Sequence, residues 1–210
     1  TTPMQNNLHF AAFDVSPKAD KDDLRGLLER WTAAARRLTL GGDISAKGAF
    51  GGGENFPPDD SGEAVGLGPS GLTLTFGFGR SLFRSQLGLE GKLPTKFTEM
   101  PTMTNDFLRP ELSDGDLCIQ ACADDPQVAV HAVRNLIRMG FGIVSTRWMQ
   151  LGFGRTASTS PAQETSRNLF GFKDGTANIR SDEEKALGEH VWVRDGSWMD
   201  DGCYLVARRI

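Results

Sequence analysis

The chain has 210 residues, with 23 lysines and arginines against 27 aspartates and glutamates and a formal net charge of −4 at pH 7. That length buries a sizeable core without covalent staples, and cations scattered rather than striped argue against nucleic acid as the main partner. No apolar run approaches the ~18 residues of a membrane span, and the opening TTPMQNN lacks the charged and apolar regions of a signal peptide.

LHFAAFDV, Leu8 to Val15, is short, apolar and bounded by polar residues, which predicts a buried strand. From Asp20 to Leu38 the residues Leu24, Leu27, Leu28, Trp31, Ala34, Ala35 and Leu38 recur at three and four, the stripe of a helix packed on a sheet. Gly41 to Gly71 holds ten glycines around Pro57-Pro58-Asp59-Asp60 and reads as a long loop, too polar to be a buried element. LTLTFGFG, Leu72 to Gly79, alternates like a strand, and SLFRSQLGL predicts a short helix capped by Ser81. An irregular stretch runs through Pro94, Pro101 and Pro110.

DLCIQACA, Asp116 to Ala123, is the next predicted strand. Asp124-Asp125-Pro126 then opens a helix that ends at Gly140, with an acidic cap and proline in the first turn. Its apolar face is Ala129, Ala132, Val133, Leu136 and Ile137; its polar face is Gln127, His131, Arg134, Asn135 and Arg138. A strand over Gly142 to Gln150 completes a split βαββαβ order, an α+β ferredoxin-like unit with helices on one face of an antiparallel sheet, over residues 1 to about 155. Residues 156–210 read as the incomplete start of a second similar half. They hold an acidic patch at Asp182-Glu183-Glu184, a strand at HVWV and another at CYLVARRI; the last breaks off in mid-strand, which predicts a piece of something longer.

Cys118 and Cys122 fall four apart on one strand, roughly 13 Å from each other, too far to bridge. With Cys203 they read as small core residues rather than metal or redox groups.

The stretch RNLFGFKDGTANI, Arg167 to Ile179, sets a carboxylate, Asp174, directly after two phenylalanines. Asp-Gly is a common turn dipeptide, and Asn178 is placed to cap the next segment. Alternatively, Gly171 and Gly175 admit close backbone approach to a flat ligand, with Phe170 and Phe172 packed nearby and Asp174 facing it as a proton carrier. The string closely resembles the distal haem loop of the dye-decolourising peroxidase family, marked by G-x-x-D-G. Counterparts of that family's PPDDSGEAVGL, LTFGFGRSLF, ACADDPQVAVHAVRNL, WMQLGFGR and GCYLVARRI stretches follow in order. The resemblance covers nearly the whole chain and is nearest the bacterial branch that includes the deferrochelatase-like proteins.

The resemblance implies a haem b peroxidase of two ferredoxin-like halves that uses hydrogen peroxide and a small-molecule electron donor. Carried over by position, Asp174 is the distal acid and base, and Phe172, Lys173, Gly175, Thr176 and Ala177 lie with it along the haem. An aspartate there stays deprotonated at acidic pH. The family's axial histidine and distal arginine are expected downstream of Ile210. Homo-oligomers and export in folded form are further implications.

The histidines present are not promoted to ligands. His131 reads as a solvated surface residue, His9 as a hydrogen-bonded core residue, and His190 does not match the family's ligand. Tyr204 and at least three of Trp31, Trp148, Trp192 and Trp198 read as packing residues rather than electron relays. Two other functions are weighed. One is haem handling, iron release or porphyrinogen oxidation, by the same loop. The other is a calcium or ligand-binding module using DGTAN with Asp182 and Glu183, which Phe172 and Ala177 argue against by breaking the alternation of acidic ligands.

Overall fold

The computed structural model describes residues 4–154, 162, 164–168, 170–173, 175 and 177–208. They divide into two compact units, Gln5–Leu93 with Pro101–Gly154, and Met4 and Pro94–Met100 with the described residues beyond Gly154.

In the first unit the order is β1 (Asn7–Val15), α1 (Lys21–Leu38), β2 (Thr73–Phe78), β3 (Leu117–Ala123), α2 (Pro126–Met139) and β4 (Val144–Phe153). The sheet runs β2-β3-β1-β4 with every neighbouring pair antiparallel, which is the ferredoxin-like order. Alternation sorts the strands into two faces. Ala11, Phe13 and Val15 of β1 and Leu117, Ile119, Ala121 and Ala123 of β3 join Leu24, Leu27, Ala34, Ala132, Val133 and Leu136 of the helices in one core. Trp31 is the hub: its ring stacks on Phe76 at 5.6 Å, tilts against Phe13 at 5.6 Å, and its Nε1 donates to the Leu136 carbonyl at 2.9 Å. The opposite face carries Trp148, stacked on Phe10 at 5.2 Å, and the half-buried free thiols Cys118 and Cys122.

The helix starts follow their caps. Asp20 accepts from the Asp22 and Asp23 amides at 2.9 Å while Asp23 accepts from the Asp20 amide at 3.2 Å, a reciprocal capping box. Asp125 caps α2 through the Gln127 amide at 2.7 Å, with Pro126 in the first turn.

Between β1 and β4 the register slips at Ala12/Phe13, where Trp148 opposes Ala12 and Thr146 opposes Phe13, leaving Arg147 as the extra residue of a bulge. The bulge turns Arg147 onto Asp14, at 3.1 Å, and onto the Ser113 and Pro110 carbonyls at 2.7 and 2.8 Å.

Ser81 does not cap a helix. It lies inside a 3₁₀ turn, Arg80–Leu82, followed by a second at Ser85–Leu87, and its Oγ donates instead to Asp116 Oδ1 at 2.6 Å. Asp116, buried, also accepts from Arg84 Nη1 at 2.9 Å and the Val15 amide at 2.8 Å, so the hydroxyl serves a carboxylate that ties the turn to the ends of two strands.

The surface reading of His131 is corrected: it is 4 % exposed, and Asn135 beside it is fully buried. The cause is the glycine-rich loop, which is not wholly solvated as its polarity suggests. It lies across that face of α2 and brings Asp60, 1 % exposed, to 2.7 Å from His131 Nε2. His9 is in the core as expected, but its Nδ1 has no hydrogen-bond partner.

The second unit contains α3 (Glu184–His190) and tight turns. HVWV is not a strand: His190 ends α3, the Val191 and Trp192 amides turn back to the Leu187 carbonyl at 3.0 Å, and Val193 bonds across to Gly202 and Asp201 at 2.9 and 3.1 Å. CYLVARRI forms no strand among the described residues, where no neighbouring segment offers it a ladder, and Leu205 and Val206 are exposed. Cys203 is exposed rather than a core thiol, and Trp192 and Trp198 are substantially exposed, so packing accounts for two of the four tryptophans, Trp31 and Trp148, and not for at least three as expected.

Candidate functional site

The segment that precedes Asp174 folds into a hairpin organised by a side chain to which the sequence reading assigned no part. Asn168 Oδ1 accepts from the Phe170 amide at 3.0 Å and the Phe172 amide at 3.2 Å, while the Asn168 amide donates to the Phe172 carbonyl at 2.9 Å. The signal was present, because an asparagine at the first position of a turn, three residues before its glycine, is able to bond its own backbone two residues on. Arg167 and Lys173 pair as an antiparallel bridge at the base, and Arg167 Nη1 donates to the Gly171 carbonyl at 2.6 Å.

The turn requires glycine at 171: φ is +81°, and the Gly171 amide closes onto the Asn168 carbonyl at 2.9 Å. A Cβ added there meets nothing within 4 Å, so the backbone at the tip is open to approach. Phe170 and Phe172 are 65 and 71 % exposed, in contrast to the packed rings expected from sequence. Lys173 and Ala177 are exposed and Gly175 is half-buried with φ +81°. Asp174 and Thr176 lie outside the described residues. The Asn178 amide turns back to the Gly175 carbonyl at 3.4 Å, so Asn178 closes a turn instead of capping a helix.

The acidic patch forms the start of α3, where the Glu183 side chain accepts from the Arg180 amide at 3.1 Å. Among the described residues no group of three or more His, Cys, Asp or Glu is placed to hold a metal ion, and Asp174, on which the calcium reading depends, lies outside them. Tyr204 is half-buried, tilted against Phe97 at 5.6 Å, and its hydroxyl is buried without a partner; burial pushes the phenol up, with Asp195 adding to the shift.

Tested against haem, these residues suit one side of the group. Exposed rings, an open glycine and the cations Arg167 and Lys173 match a flat apolar ligand that carries carboxylates. They do not supply an iron ligand. His190 is exposed at the end of α3, 4.0 Å from Glu189, and His131 Nε2 is already committed to Asp60.

Comparison with known proteins shows the family of the chain. The family "Dyp-type peroxidase, N-terminal" matches residues 1–154 and "Dyp-type peroxidase, C-terminal" matches residues 165–210. The Deferrochelatase of Escherichia coli K12 is 36% identical over the whole chain, which covers 50% of that protein. A DyP-type peroxidase from Streptomyces coelicolor superposes with a TM-score of 0.80 at 36% identity, over 96% of this chain and 51% of the other. Ferric DtpA from Streptomyces lividans does so with a TM-score of 0.79 at 35% identity, again over 96% and 51%. The chain therefore spans about half the length of the curated relatives it matches.

Proposed function

Because the chain belongs to the Dyp-type peroxidase family, we propose that it forms part of a haem b peroxidase that uses hydrogen peroxide to oxidise dyes, phenols or other one-electron donors. The observation that carries this reading is the Arg167–Lys173 hairpin, which exposes Phe170 and Phe172 and leads directly into Asp174-Gly175-Thr176-Ala177. When bound, haem supplies the iron at which peroxide is reduced.

The chain's own residues cover and orient. Phe172, Lys173, Gly175, Thr176 and Ala177 line the haem, with the rings excluding water and the glycine allowing close contact. Asp174 takes a proton from one peroxide oxygen onto a carboxylate oxygen and returns it to the other, so that water rather than hydroxide leaves. The axial histidine belongs, on this reading, to sequence beyond Ile210, and residues 156–210 begin a second ferredoxin-like domain after the first over residues 1–155. A homo-oligomer and export in folded form complete the proposal; among the described residues no helix is long and apolar enough to cross a membrane.

The test is Asp174→Asn in the haem-loaded protein. The Soret band stays and the rate of reaction with peroxide falls by about 10²- to 10⁴-fold; an unchanged rate removes Asp174 from the chemistry. The name of the curated relatives favours a second reading, haem handling. In that case Asp174→Asn leaves haem binding and iron release intact.

A further inference from the structure

The loop between α1 and β2 is held to α2 by polar contacts, and apolar burial contributes little. The loop's end is anchored by Leu67 and Leu72, but of the large apolar residues in 43–65 only Ile44 packs on the core, whereas Phe50 and Phe56 are 87 and 76 % exposed and Val65 is also exposed. The attachment centres on Asp60. Its Oδ1 accepts from His131 Nε2 at 2.7 Å and the Gly62 amide at 2.8 Å, and its Oδ2 accepts from the Ile44 amide at 2.9 Å. Next to it Asn135 accepts from the Ser61 amide at 3.0 Å and donates to Ser61 Oγ at 2.7 Å.

We propose that residues 43–65 form a strap that leaves α2 as one unit when Asp60 takes up a proton, with the Asp60–His131 dyad as its clasp. A carboxylate satisfies three donors; a carboxylic acid turns one oxygen into a donor and sets it against an N–H already in place. A carboxylate only accepts, so its contact with His131 requires the hydrogen on Nε2. A segment fastened by hydrogen bonds and little apolar area opens at lower free energy than the domain around it.

The other charges facing the clasp do not replace it. On the strap, Glu63 pairs with Arg134 of α2 at 3.1 Å and takes the Ser61 hydroxyl, Asp59 accepts from Ser45 Oγ at 2.7 Å, and Asp43 accepts from the Ala49 amide at 3.3 Å. Lys47 lies on the same segment and is exposed. From the helices, Arg138 donates to the Pro58 carbonyl at 2.8 Å, and Arg37 donates to the Asp43 and Ser45 carbonyls at 2.7 and 2.9 Å, contacts indifferent to carboxylate titration.

Burial pushes the Asp60 carboxyl up, but the His131 hydrogen bond and the Ile44 and Gly62 amides outweigh it and hold the group below its ordinary 3.8. A depressed carboxyl contributes stability above the unfolded value and loses it as pH falls through the folded one. The strap therefore stays closed at neutral and mildly acidic pH and opens only below the ordinary carboxylate range. Glu63 is lowered too, with burial opposing and the Ser61 hydrogen bond and Arg134 prevailing, so the two carboxylates have to be separated by mutation.

The experiment is amide hydrogen exchange on the intact protein across pH, corrected for intrinsic rates, with Asp60→Asn as a mimic of the protonated acid and Glu63→Gln as the control. In the wild type the amides of Ile44, Ser61 and Gly62 lose protection together on acidification while those of Leu27 and Ala121 keep it. Asp60→Asn lowers protection of the same three amides by about 10- to 100-fold at pH 7, and Glu63→Gln leaves them near wild type. Loss of the three amides only together with Leu27 and Ala121 overturns the proposal. Full protection in Asp60→Asn, or release in Glu63→Gln alone, overturns it as well. The wild-type pH series decides the matter even where the variant fails to fold.

Discussion

Replacing Asp116 by alanine removes the acceptor for three groups at once: the Val15 amide, the Ser81 hydroxyl and Arg84 Nη1. Breaking a buried ion pair from one side costs about 3–5 kcal/mol. Arg84 softens that figure, because its side chain is 31% exposed and keeps the Ser81 and Val15 carbonyls at 2.9 and 3.2 Å. The Val15 amide has no such relief and adds about 1–3 kcal/mol as a buried unpaired donor. The net expectation is a loss of about 3 kcal/mol. Urea unfolding followed by far-UV circular dichroism reads it as a lower midpoint at unchanged slope. In an Asp116→Ala background, Arg84→Ala costs less than in the wild type, because the pair is already broken and only the bonds to the Ser81 and Val15 carbonyls remain to lose. A loss below about 1 kcal/mol for Asp116→Ala would refute the reasoning, since it would put the network in the class of solvated surface pairs.

Gly79→Ala isolates a steric effect: φ at 79 is −82°, which any residue adopts, but the new Cβ sits 1.8 Å from the Gly115 carbonyl oxygen. A loss of about 2–3 kcal/mol in the same urea assay is expected, and a neutral result would mean that the Gly115 turn moves freely. His9 tests linkage. Burial lowers its ring below the ordinary 6.5, so the unfolded chain binds a proton that the folded one refuses, and stability falls as pH drops below that value. His9→Leu removes this slope, so its urea midpoint gains on the wild type between pH 7.5 and 5.5; parallel midpoints would show that His9 takes its proton in the folded state.

Where local chemistry decided the structure, the sequence was legible. The Asp125 cap, the apolar stripes of α1 and α2 and the strand at β3 are written within a few residues of where they act, and the ferredoxin-like order follows from them. Misreadings occurred where a distant segment supplied the partner. His131 and Asn135 lie on the polar side of their helix by periodicity, yet Asp60 and Ser61, more than 70 residues earlier, bury them. Ser81 was assigned a cap because its true acceptor, Asp116, is 35 residues away. At the candidate site the motif was recognisable from its string, whereas the Asn168 turn and the outward rings of Phe170 and Phe172 depended on backbone geometry.

The sheet order also sets a timetable for synthesis. β1 leaves the ribosome before its partners β3 and β4, and the last residue of β4 follows Val15 by 138 positions. At 5–20 residues per second that interval is roughly 7–28 s. For that period Phe10, Ala11, Ala12 and Phe13 lack the β4 strand that will cover one edge, and until β3 is complete at Ala123 they lack the other as well. The nascent chain therefore carries an apolar segment that its own strands do not yet fully pair, and it depends in that window on whatever in the cell shields such segments from other chains.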